Sequence, residues 1–344
     1  MTTAASLVLV ANAADGSLST FRFADGELER IAVTDGLTGC STFAVDAPRG
    51  LVYAAVKGEP AAIVTLSLDR ESGRLGELSR RDLPDGGMNY LWLARGGAAL
   101  LGASYGGGYG IISPVVDGAV EAPVSKIAYP NLHSVRTSDD GRFAYFVSLG
   151  ADLVAQYAIG ADLTLTPLAT PTAAAPAGSG PRHLLLNAAQ DAVYVMTEFS
   201  GEVLHYARDT ETGELELVGA ASAFDRSKDL GHSEFGADPL AHHYIWGADL
   251  HWGADSAVLW ASERTESTLA AVPVAGDGTV ADAESVTVTE QQPRGFATSA
   301  DGRFLVAAGE KSTTVSLYAV DGTRLSLLQQ AETGRGANWV RFVD

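Results

Sequence analysis

The chain is written in short apolar, β-branched runs separated by polar and glycine-rich punctuation, and no stretch keeps a helical period between capping residues. Four segments show the pattern when stacked: LHSVRTSDDGRFAYFVSLGADLVAQYAI from Leu132, PRHLLLNAAQDAVYVMTEFSGEVLHYAR from Pro181, GADLHWGADSAVLWASERTESTLAAVPV from Gly247, and PRGFATSADGRFLVAAGEKSTTVSLYAV from Pro293. Each predicts strand, turn, strand, turn, strand, with a fourth, more variable strand behind. Asp-Gly dipeptides begin at Asp15, Asp25, Asp35, Asp85, Asp117, Asp140, Asp277, Asp301 and Asp321, mostly between the apolar runs. Asp-Gly tolerates positive φ, so these positions predict tight hairpins.

Aligning the units places Ser41, Asn89, His133, Arg182, Ala248, Arg294 and Asn338 at one repeat position, at intervals of 48, 44, 49, 66, 46 and 44 residues. Seven four-stranded units with a period in the forties predict an all-β fold, a seven-bladed β-propeller in which adjacent sheets bury faces that none could bury alone. The C-terminal GANWVRFVD resembles only the first strand of a unit, and the N-terminal SLVLVANAADGSLSTFRF resembles the strands that follow it. The C-terminal strand is therefore expected to pair with the N-terminal strands and close the ring, which removes a free sheet edge. The one long interval marks an inter-blade insertion at about 222–246 in what is otherwise a single propeller domain over 1–344.

Composition narrows the partners. An apolar fraction of 46% over 344 residues can fill a large core, and a net charge of −19 opposes nucleic acid and anionic membrane surfaces. An anionic small molecule remains compatible, because a few arginines focused in one cleft set the local field. Cys40 is the only cysteine, so no intrachain disulfide can form. MTTAASLVLVANAADG lacks the basic n-region and long apolar run of a secretion signal. A cytoplasmic monomer, bound to neither nucleic acid nor membrane, is expected.

In a propeller the first strand of each blade lines the central channel, and the loops at one end form a funnel where ligands bind. The shared repeat position begins that strand. Sixteen residues later the units reach Lys57, Tyr105, Leu149, Glu198, Arg264 and Glu310, which a hairpin returns to the same end. His133, Arg182, Arg294, Asn89 and Asn338 are therefore expected to face Lys57, Tyr105, Glu198, Arg264 and Glu310 around one rim. Arg182 and Glu198 alone would make a cross-strand ion pair, but arginine, histidine and glutamate recur where the repeat demands no charge. Of the histidines in GHSEFGADPLAHHYIWGADLHW, His232, His242 and His243 read as a polar loop, having no HxH or HExxH spacing for a metal. His251 lies on an inner strand, where it is either channel-facing or a satisfied core residue.

GSGPRHLLLNAAQDAVYVMTEFSGEV, TVTEQQPRGFATSADGRFLVAAGEKSTTVSLYAV, LHSVRTSDDGRFAYF and GRGANWV resemble the seven-bladed propeller lactonase family, which includes bacterial cycloisomerase-type 6-phosphogluconolactonases and fungal carboxymuconate lactonizing enzymes. The resemblance implies an active site of His133 in LHS, Arg182 in PRH, Glu198 in TEFSG and Arg294 in PRGF. It implies hydrolysis of an anionic sugar lactone, most simply 6-phosphoglucono-1,5-lactone, without a metal or other cofactor. Glu198 would act as general base on water, Arg182 and Arg294 would stabilise the oxyanion, and His133, with a pKa near neutral, would protonate the leaving oxygen. Arg264, Lys57, His251 and Tyr105 would contact the substrate, Arg264 foremost at a phosphate. The family's other branch closes a lactone instead, and a non-catalytic binding scaffold is the reading of another class, though the WD40 signature is absent. Thr197 before Glu198, YGGGYGIISPV around Tyr105 and the insertion depart from the family pattern.

Overall fold

The computed structural model describes residues 6–344. Its strands form seven sheets arranged as a seven-bladed β-propeller. Blade one is composite: the C-terminal strand Ala337–Val343 is innermost, followed by Ser6–Asn12, Ser17–Ala24 and Glu27–Thr34. Pairing runs antiparallel from Leu7↔Val343 to Asn12↔Ala337, so the two chain ends close the ring as the half-units predict. The inner strands of blades two to seven are Thr42–Asp46, Tyr90–Ala94, Leu132–Thr137, Pro181–Leu186, Gly247–Trp252 and Gly295–Thr298.

Burial grades outward from the axis, which is what the apolar runs encode. The second strand of blade four, Phe143–Ser148, is buried at every position, whereas the outermost strand of blade two, Leu75–Leu83, is mostly exposed. A middle strand is apolar on both faces because each face meets a neighbouring blade. Met196, Leu250 and Leu259 are fully buried in one such seam, each side chain contributing about 1.5–3 kcal/mol by leaving water.

The Asp-Gly positions divide into two kinds. Every one of the nine glycines has positive φ, but only at Asp25-Gly26 and Asp117-Gly118 are both residues left-handed, each pair joining strands as a two-residue hairpin. Others close longer loops: Gly141 N–H donates to the Ser138 carbonyl while the Ser138 hydroxyl holds Asp140. Blade three differs in that its outer strand is split into Ala119–Val120 and Ser125–Ala128, on either side of Pro123, which has no N–H for the ladder.

The insertion leaves the outer strand of blade five at Ser222 and rejoins at Gly247. It contains short turns at Arg226–Lys228 and Pro239–His242, is pinched by a Gly231↔Tyr244 bridge, and is tied to blade five by Ser233 N–H donating to the Phe199 carbonyl. It therefore sits at the end of blade five where Glu198 lies.

Candidate active site

A recurring irregularity shapes the rim. In blade four the register skips between Leu132 and Ser134, in blade five between Pro181 and His183, in blade six between Gly247 and Leu250, and in blade one between Trp339 and Ala337. The unpaired residues are His133, Arg182, Ala248 with Asp249, and Asn338. A bulge re-aims the side chain of the extra residue, and here it falls at the shared repeat position. The buried Ser41 Oγ, His133 Nδ1 and Asn338 Oδ1 all lie at that position and have no hydrogen-bond partner among the described residues. Buried polar atoms are normally satisfied, so three orphans on one ring mark a place for ligand or solvent.

Glu198 is the centre of the charged cluster. Its Oε2 accepts from Arg182 Nε at 2.8 Å and pairs with Arg264 Nη2 at 3.1 Å, while Oε1 accepts from the Trp246 indole at 3.2 Å. The Trp246 ring also lies under the Arg264 guanidinium, 3.9 Å from the ring centroid. Arg182 is 1% exposed, and its Nη1 donates to the Ala248 carbonyl at 2.6 Å and to His183 Nε2 at 3.1 Å. Across the rim Arg294 Nη1 meets Glu310 at 3.0 Å. His133 is buried, its ring edge-on to Tyr105 at 5.8 Å and to His183 at 5.1 Å.

Charges at the rim perturb one another. Burial alone would raise the Glu198 carboxyl, but Arg264 and Arg182 outweigh it and hold it below its ordinary value, so it is an anion at neutral pH. Burial, then the charges of Arg182 and the neighbouring histidine and arginines, depresses His133 far below the usual histidine range. Burial and the adjacent Arg264 draw Arg182 down to about 9. Desolvation and Arg294 lower the Lys57 ammonium, and desolvation and Glu198 raise the Tyr105 phenol. Arg182, Arg264, Arg294 and Lys57 gather around Glu198 and Glu310 at this mouth, with Glu263 acting on Arg264 and Asp249 on Arg182 from behind, so four cations are concentrated at one site of a strongly acidic protein.

One residue further along the inner strands lies a second polar layer. An arginine can only donate, so His183 accepts from Arg182 at Nε2 and carries its proton on Nδ1, where it donates to Asp249 Oδ1 at 2.7 Å. His251 Nε2 meets the other Asp249 oxygen at 3.1 Å. Burial and the Arg182 charge lower His183 to about 3, which keeps it neutral.

The family description Lactonase, 7-bladed beta-propeller, matches residues 7–342. The chain belongs to this family. Among lactonase relatives, the protein of Pectobacterium carotovorum named 6-phosphogluconolactonase is 30% identical over 78% of both chains, and that of Serratia proteamaculans, with the same name, is 26% identical over 98% of both. The structure of a Pseudomonas aeruginosa periplasmic gluconolactonase superposes with a TM-score of 0.86, at 23% identity over 99% of each chain. A Lactobacillus plantarum protein superposes with a TM-score of 0.83, at 20% identity over 99% of this chain and 100% of its own. These structural likenesses carry the fold alone.

Within this lactonase fold the structure gathers His133, Arg182, Glu198, Arg264, Arg294, Tyr105 and Lys57 at one mouth, and the surroundings of three expected residues differ from those the repeat suggests. His251 is level with Trp260, about 13 Å down its strand from the rim residue Gly247, and its Nε2 is engaged by Asp249, so it stands away from any phosphate at the rim. Arg264 is paired with Glu198, and its donors also reach the Trp246 and Gly247 carbonyls. His133 is not poised near neutrality, because desolvation and surrounding cations keep it unprotonated.

The insertion histidines are scattered. His243 meets Glu266 at 2.9 Å, His242 stacks on Tyr244, and His232 bonds the Ser233 carbonyl. Among the described residues no three His, Cys, Asp or Glu side chains are grouped to hold a metal ion. Trp246, His183, Asp249 and Glu263 are additions that sequence reasoning missed. Glu263 accepts from the backbone N–H of Trp246, Thr265 and Glu266, and so fixes the indole against Glu198.

Proposed function

We propose that the chain hydrolyses an anionic sugar lactone at the Glu198 rim, with 6-phosphoglucono-1,5-lactone as the leading substrate. The observation that carries the reading is the buried Arg182–Glu198–Arg264 cluster, set among orphaned polar atoms in a family of lactonases. Relatives named 6-phosphogluconolactonase support the choice of substrate.

Water adds to the lactone carbonyl, and its proton passes to the lone pair that Oε1 of Glu198 keeps beyond the Trp246 indole. A carboxylate held this low is a weak base, so base catalysis supplies the smaller part of the acceleration. The larger part comes from guanidinium groups facing the oxyanion, each such donor being worth roughly 100- to 1000-fold in rate. As Glu198 takes up the proton it releases its hold on Arg182 and Arg264, so their charge becomes available while the oxyanion forms in the same cluster. Collapse of the tetrahedral adduct breaks the ring C–O bond, and the Glu198 proton returns to the leaving oxygen. Neutral His133 and Asn338 hydrogen-bond the substrate hydroxyls, while Arg294 and Lys57 hold the remote anion.

Freshly prepared 6-phosphoglucono-1,5-lactone tests the reading, with 6-phosphogluconate followed through a coupled dehydrogenase and with glucono-1,5-lactone and carboxymuconate in parallel. Hydrolysis well above the spontaneous rate, fastest for the phosphorylated lactone, is expected. A rate equal to the spontaneous one for both sugar lactones refutes it, and turnover of carboxymuconate alone assigns the rim to lactone closure.

A further inference from the structure

Beside the charged rim lies a cavity of about 500 Å³, within the size range of small-molecule sites. Blade four, blade five and the insertion build it together. Two of its walls come from residues close to the reacting groups: the Leu149 N–H donates to the carbonyl of Asn131, two residues before His133, and Phe199 directly follows Glu198. The cavity therefore lies next to the charged cluster, on the side of blades four and five.

Its chemistry is the reverse of the rim's. No lysine or arginine lines it, and two carboxylates do, Asp152 and Glu234. Asp152 is engaged by the backbone N–H of Gly178 at 2.7 Å and Gly180 at 2.9 Å, whereas Glu234 is exposed and has no bonded partner among the described residues. Phe235, also in the wall, is 63% exposed, an aromatic surface left uncovered beside polar acceptors. A phosphate here would meet like charge. Phe235 and Phe199 together with the acceptors Glu234 and Asn131 line the same cavity, a combination that suits the C–H faces and hydroxyls of an uncharged polyhydroxylated ring.

We propose that this cavity binds a glycosyl substituent on the lactone, so that a glycosylated aldonolactone, its lactone ring at the Arg182–Glu198 rim, is taken in preference to the bare aldonolactone. The proposal rests on the lactonase reading for its orientation, but its affinity component is measurable without turnover. Calorimetric titration with cellobionate and with gluconate gives the ratio of affinities, and kcat/KM for cellobiono-1,5-lactone over glucono-1,5-lactone gives the catalytic counterpart.

The native chain is expected to favour the glycosylated ligand by about tenfold or more in both ratios. Phe235→Ser, a change at an exposed side chain, and Glu234→Gln should each bring the ratios toward one. Equal affinity of the native chain for cellobionate and gluconate, or ratios unmoved by both substitutions, overturns the proposal. Preferential cellobionate binding without hydrolysis of either lactone would uphold the cavity and sink the lactonase reading. Gluconolactone hydrolysis without that preference would do the opposite.

Discussion

Blades five and seven carry the same device. Each has an arginine at the repeat position and a glutamate sixteen residues on, Arg182 with Glu198 and Arg294 with Glu310, joined at 2.8 and 3.0 Å. Their surroundings differ. Arg182 and Glu198 are 1% and 17% exposed at the side chain, and both are cross-braced, by His183 and the Ala248 carbonyl on one side and by Arg264 and Trp246 on the other. Arg294 and Glu310 are 25% and 22% exposed and hold essentially each other. A repeat supplied two copies of one ion pair, and the neighbouring blade made one of them rigid. Pre-organised charge in a desolvated site does most for a transition state, so blade five should govern turnover and blade seven substrate capture.

Unequal effects of matched substitutions would sharpen this contrast, and equal effects would break it. The largest is expected for Arg182→Gln, which should lower kcat by roughly 100- to 1000-fold in steady-state assays. Arg294→Gln should act mainly on KM for the phosphorylated lactone, by about tenfold, because a capturing cation binds ground and transition states alike.

The pH response separates the pairs further. His133 is depressed far below its ordinary value and Glu198 lies below its own, so kcat/KM should stay level through the usual histidine range and fall only in more acid solution. An inflection near 6.5 would restore an imidazolium role for His133. Stability follows the same sign. His183 titrates at about 3 when folded against an ordinary 6.5, so its contribution is complete above 6.5 and drains away toward 3 as the unfolded chain takes up the proton. Thermal melts should show Tm falling across that window, less steeply for His183→Gln. The smallest effect is on the stability of blade seven, where Glu310→Gln should cost no more than about 1 kcal/mol in chemical denaturation, as partly exposed pairs do.

The frame that carries this contrast was legible in the sequence, though the contrast itself was not, for a physical reason. Blade number, ring closure and the residues at the mouth follow from a period that each unit expresses locally, in its apolar runs and Asp-Gly turns. The bulges that turn His133 and Arg182 toward the axis left no such signature. The bracing was also hidden, because it depends on contacts between blades: His183 and Asp249 meet across the seam of blades five and six, and only their shared place, one residue after Arg182 and Ala248, hinted at a second layer. Trp246 was obscured as the last residue of an insertion outside the period. Arg264 seemed free for a phosphate because its engagement by Glu198 spans two sheets.

The most direct test compares the two glutamates in one assay. With 6-phosphoglucono-1,5-lactone as substrate and folding checked by circular dichroism, Glu198→Gln should reduce kcat by at least about a hundredfold while Glu310→Gln stays within a few fold of the native chain. Equal losses for the two variants, or undiminished turnover by Glu198→Gln, would contradict the assignment of catalysis to the braced pair of blade five.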